Sequence, residues 1–250
     1  LLNTECFAQK MEIIPRQHLN LFELIGDTAQ SGIDTTKEFE VSDFITFGEY
    51  KTYLNAIKQD SSAEYYLSQF PDSNITIDDK IYSTYITDKS YDKYPVLGIS
   101  WDNAMNYCKW KTLKTNKKDT IEFLYRLPTL SEWLTDYQYY KANNKKHDLN
   151  EKYSDWLLNA FEESFVIWGN KSIFKNYYNY EYYHKKNDTF VSKRKLIIGS
   201  SYLYENNHVF SNHKYGLADE GYRHVAFRIV KVKTSDYNIK PLFKYWGLKL

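Results

Sequence analysis

Two cysteines, a few C-terminal histidines and a run of tyrosines are the residues that could do chemistry in this 250-residue chain. Thiolates carry redox and nucleophilic chemistry and bind soft metal ions. Cys6 and Cys108 are too few for a disulfide framework. Cys108 falls on the inner face of a helical pattern, where cysteine behaves as a small apolar residue. His208 and His213, with His224, have the type for a metal site. Their spacing fits no zinc signature, and no carboxylate is fixed with them. Tyr177, Tyr178, Tyr180, Tyr182 and Tyr183 share one polar stretch. They form either an aromatic ligand platform or an exposed loop flanked by lysines. No G-x-S-x-G, phosphate loop or H-E-x-x-H is present, so no serine nucleophile or carboxylate pair is assigned.

The elements that must position these residues centre on Tyr94–Tyr140. Ser100 is a good N-cap for an amphipathic run from Trp101 to Leu113, with Asp102 in its first turn. Trp101, Ala104, Met105, Cys108 and Thr112 share one face at three-to-four spacing. Thr129 and Glu132 form a capping box for a second helix, with Trp133, Leu134 and Tyr137 as its apolar face. Pro128 keeps an earlier helix from running into it. Thr46 and Glu49 signal a third helix, whose apolar face is Phe47, Tyr50, Tyr53, Leu54 and Ile57. Residues 11–36 read as loops and short strands, and Phe39–Val41 as the end of a strand. A short helix is expected at Ala63–Phe70, within a polar and aromatic surface excursion at 59–93. Residues 141–152 are a charged linker. Asp155–Glu162 (DWLLNAFE) has the pattern of an amphipathic helix with both carboxylates in water. Residues 168–195 are loop-like, and Val225–Val230 reads as one buried strand.

Composition narrows the function. The net charge of +1 leaves no electrostatic footprint for nucleic acid or an anionic membrane. No run of 18 apolar residues is present to span a bilayer. Tyr (25) and Trp (6) are abundant, from the codons of an AT-rich genome or from an aromatic binding surface. Cys6 and Ala8 stand at −3 and −1 of a possible signal-peptidase site. The expected organisation is a signal-peptide remnant at 1–9, one domain at 10–232, and a tail at 233–250. Phe243, Tyr245 and Trp246 make that tail dock on something, in cis or in trans.

The stretch YPVLGISWDNAMNYCKW, followed by YRLPTLSEW, resembles the formylglycine-generating enzyme (sulfatase-modifying factor) family. In that family P-V-x-x-V-S-W-x-x-A-x-x-Y-C-x-W precedes R-L-P-T-x-x-E-W. Phe39–Tyr53, Leu196–Tyr202 and Val225–Val230 resemble its opening strand and cap, its R-G-G-S turn and its closing G-F-R-x-V, with Ala226 at the glycine. The resemblance implies an α+β, irregular C-type-lectin-like fold with short capped helices, short antiparallel strands and long loops.

The resemblance also implies sites. The family's structural calcium falls on Asp155, the carbonyls of Leu158 and Ala160, and Glu162, with Leu158 replacing the usual glycine. Its copper-binding cysteine pair falls on Tyr204 and Val209, which supply no thiolate, so no copper site is expected. The expectation is a non-catalytic, exported domain at the periplasm or cell surface. It would bind a protein or glycan, or form part of a cell-envelope assembly of the gliding or secretion type. Its binding face would carry Tyr177, Tyr178, Tyr182, Tyr183, Tyr202, Tyr204 and His208. The alternative is a metal-dependent oxidoreductase related to the formylglycine-generating or sulfoxide-synthase enzymes, using His208 and His213.

Overall fold

The computed structural model describes residues 9–20, 33–73, 79–117, 120–143, 153–161, 189–199 and 214–249. The fold is α+β, and the described residues form two four-stranded sheets and a separate hairpin. The first sheet has β1 (Met11–Ile14), β4 (Phe39–Ser42), β10 (Val230–Lys233) and β5 (Phe123–Arg126), adjacent in that order. All its pairings are antiparallel, with Val230 opposite both Val41 and Arg126. The second has β8 (Lys214–Leu217), β7 (Arg194–Ile198), β6 (Ser154–Ala160) and β9 (Val225–Ala226). There β6 runs antiparallel to β7 and parallel to β9. β2 (Gln17–Asn20) and β3 (Ile33–Thr36) form the hairpin.

The capped helices form as their sequences dictate. α1 (Phe47–Asp60) and α5 (Leu130–Ala142) both open on complete capping boxes, Thr46 with Glu49 and Thr129 with Glu132. α4 (Trp101–Thr115) opens on Ser100, whose hydroxyl accepts from the Asn103 amide. The expected inner face of α4 is fully buried, from Trp101 through Ala104, Met105 and Cys108 to Thr112. The turn before it is tight. Gly98 has φ 75°, and a Cβ on Gly221 would lie 2.0 Å from the Gly98 carbonyl oxygen.

Three expectations change. The region 59–93 is more than a surface excursion. It holds α2 (Ala63–Ser68) and α3 (Asp79–Thr87), and its Tyr85 stacks on Phe47 at 4.6 Å. The Asp155 segment is not a helix but strand β6, with Asp155 entirely buried, because its bulky residues pair with β7 on one side and β9 on the other. Val225–Val230 is not one strand. β9 ends at Ala226, the chain crosses from the second sheet to the first, and β10 begins at Val230, all of it buried. The crossing carries Arg228, which meets partners from two other elements.

The tail docks in cis. Its helix α6 (Lys240–Tyr245) buries Leu242 and Phe243, and Trp246 follows. Lys109 Nζ donates to the Trp246 carbonyl at 2.6 Å, and the Tyr245 hydroxyl to Asp102 at 2.7 Å. Both partners lie on α4.

Candidate functional site

The corner Leu127-Pro128-Thr129, between β5 and α5, sets the geometry of the central region. Arg126, the last residue of β5, forks onto Glu132 at 2.7 and 2.8 Å. Glu132 Oε2 also accepts from the backbone amide and hydroxyl of Thr129 at 2.8 and 3.0 Å. Burial opposes charge on Glu132, but Arg126 and Thr129 outweigh it and hold the carboxyl below its usual range. Tyr237, from the tail, donates to Glu132 Oε1 at 3.3 Å and lays its ring 5.0 Å from the Arg126 guanidinium.

A second ionic group lies behind it. Arg228 Nη1 donates to Asp136 at 2.6 Å, and Nη2 to Asp155 Oδ2 at 2.9 Å. Trp133 Nε1 donates to the same Asp155 oxygen at 2.8 Å. Burial pushes Asp136 up to about 6; Arg228 opposes the rise, while Asp155 and Glu12 add to it. Burial likewise raises Asp155 against Arg228 and Trp133. The charges balance less well here than at Glu132, because two carboxylates share one guanidinium.

Between the corner, β6 and the tail lies a cavity of about 350 Å³. Leu124, Leu158, Ile239 and Leu242 give it apolar walls, and Thr36, Thr129, Ser131 and Asn159 give it polar ones. Phe190 closes one side, stacked on Tyr245 at 5.3 Å. Near it Lys195 is buried, with Nζ 3.8 Å from the Trp101 ring centre and donating to the Thr189 carbonyl.

A family model, the sulfatase-modifying factor enzyme 1-like domain, matches residues 23–219. The chain belongs to the sulfatase-modifying factor family. The shape of the domain agrees. A solved structure titled CarF superposes with a TM-score of 0.55 at 12% identity, covering 89% of this chain and 97% of that one. PvdO from Pseudomonas aeruginosa gives 0.50 at 13%, over 88% and 93%. Variable protein 1 of Treponema denticola gives 0.51 at 11%, over 88% and 94%. At these identities the three show the fold of the family and nothing finer. Among curated proteins, none matches the sequence.

The expected site residues fare differently within this sulfatase-modifying-factor domain. Tyr177, Tyr178, Tyr182, Tyr183, Tyr202, Tyr204, His208 and His213 lie outside the described residues, as does Glu162. Of the calcium set, Asp155 is already paired: its Oδ2 accepts from Arg228 Nη2 at 2.9 Å and from Trp133 Nε1 at 2.8 Å, so a divalent cation on it would have a buried positive charge as a neighbour. The Leu158 amide donates to Pro128, and Ala160 pairs with Lys195 across to β7. Cys108 sits in the core, where burial drives its thiol far above the usual range, more than Lys111 and Arg126 pull it back.

Sequence reasoning passed over Arg126, Asp136, Asn159, Arg228 and Tyr237. Arg126 and Glu132 had a signal, since a strand end and a cap glutamate on either side of a proline corner bring both side chains to one point. Asn159 had none; its role depends on β6 lying against the start of α5.

Proposed function

We propose that this chain is a non-catalytic member of its family that works by binding a protein or glycan. In this reading it is exported and acts in a cell-envelope assembly, with the loops at 177–183 and 202–212 facing the partner. The observation that carries the reading is the state of its thiols. Within the family match the chain has one cysteine, Cys108, and that side chain is buried in α4. Sequence places Tyr204 and Val209 where the resembled enzymes carry their cysteine pair. Oxidation of a substrate cysteine through copper(I) thiolates therefore has no accessible ligand in this stretch.

The test is direct. The purified domain is incubated with copper(I), oxygen and a cysteine-containing sulfatase-type peptide, and products are trapped with an aldehyde-reactive hydrazine. No aldehyde above the metal-only control is expected; turnover that scales with protein concentration would overturn the reading. For the loops, Tyr182→Ala and Tyr183→Ala together should weaken partner binding without lowering the melting temperature.

A further inference from the structure

The cavity beside the Leu127-Pro128-Thr129 corner is assembled from parts far apart in the chain. Thr36 comes from β3, Leu124 from β5, Asn159 from β6 and Ile239 from the tail. The tail wall lies beyond the stretch matched by the family model, which ends at residue 219. This enclosure is thus completed by the C-terminal segment of this chain. At about 350 Å³ it stands at the small end of the range for small-ligand sites, about 300–1,000 Å³.

Its chemistry is specific in two respects. The charges that border it are paired off. Arg126 is forked by Glu132 at 2.7 and 2.8 Å, and Lys37 Nζ lies 3.8 Å from Asp236. The Arg126–Glu132 pair is buried, so an ionic ligand engaging either member would have to break it, whereas a neutral one would not. The second respect is Asn159. Its Oδ1 accepts from the Leu130 amide at the start of α5, at 2.8 Å. Its Nδ2 has no hydrogen-bond partner among the described residues, and the residue lines the cavity, so a ligand oxygen there can accept from it. Leu158, Ile239 and Leu242 give the same cavity aliphatic walls.

We infer that this cavity binds one neutral sugar ring, its C–H face against the aliphatic wall and a hydroxyl or acetamido oxygen on Asn159 Nδ2. A pyranose is amphipathic in the sense the cavity requires, with apolar faces and hydrogen-bonding edges. The inference rests on the reading of the domain as a binder and assigns that binder a ligand among the described residues.

The experiment uses the full chain. Methyl α-glucopyranoside and methyl N-acetyl-β-glucosaminide are titrated by calorimetry and ligand-observed NMR, with glucuronate and glucosamine as charged counterparts. Asn159→Asp keeps an oxygen to accept from Leu130 and replaces the amide donor with an anionic oxygen that only accepts. It should melt with the wild type and lose affinity about tenfold, the worth of one or two hydrogen bonds. Thr189→Phe, on the rim, keeps the backbone carbonyl used by Lys195 and should block entry. The inference fails if neither neutral glycoside binds, if the charged sugars bind as well, or if both variants bind like the wild type. Failure of this kind leaves the binding reading of the loops intact. A glycoside that is bound and chemically converted would instead sink the non-catalytic reading while upholding the cavity.

Discussion

Arg228 and Asp155, 73 residues apart in sequence, meet at 2.9 Å with both side chains withdrawn from solvent. The contact joins the crossing between the sheets to the centre of the second sheet. Asp136 brings α5 to the same guanidinium. Removing the cation leaves two carboxylates buried side by side. Arg228→Ala should therefore cost about 3–5 kcal/mol. Arg228→Lys should fall between, since one ammonium cannot fork across both carboxylates as the planar guanidinium does. Urea denaturation at neutral pH measures both.

Asp136 should make stability depend on pH. Its folded value, about 6, lies above its ordinary 3.8. Between those values the folded protein keeps a proton that the unfolded chain has released. This group's contribution therefore falls as pH rises through that window and stays flat above it, by up to about 3 kcal/mol in all. Glu132 acts in the opposite sense, its depressed value costing stability as pH falls. The readout is thus the difference between wild type and Asp136→Asn, each unfolded in urea from pH 4 to about 7. Parallel profiles would remove Asp136 as the cause.

Cys108 should resist alkylation. It is fully buried, and its thiol is held in the protonated form. Iodoacetamide at neutral pH should leave it unmodified in the folded protein and label it completely in denaturant. Peptide mapping distinguishes it from Cys6. Rapid labelling in the folded state would mean that the core around α4 opens readily.

The tail should contribute to stability as part of the core. Phe243 is buried beside Trp246, with ring centres 6.2 Å apart. Phe243→Ala should cost about 3–5 kcal/mol. Tyr237→Phe removes only the hydroxyl that reaches Glu132 at 3.3 Å, so about 1 kcal/mol or less is expected. Guanidinium denaturation curves compare the two. A tail that merely rested on the surface would give no loss at Phe243.

The helices were legible because their signals are local. A serine or threonine cap, a glutamate three residues on and aromatics at helical spacing act within one turn, so Thr46, Ser100 and Thr129 mark helix starts without reference to the rest of the chain. The ordered motifs from Pro95 to Trp133 likewise carried the family. What lies between partners distant in sequence was not legible. Asp155 looked like a surface or calcium carboxylate because nothing beside it in sequence announces Arg228. Val225–Val230 looked like one strand because apolar runs do not reveal where a chain changes sheets. The tail's aromatics signalled docking but not their partner, which is α4 of the same chain. The cavity needed β3, β5, β6 and the tail together before Asn159 had a place in it. By itself the sequence determined the capped helices and the family. Tertiary structure decided which charges pair and where space remains, because burial and pairing depend on every element that meets at a point.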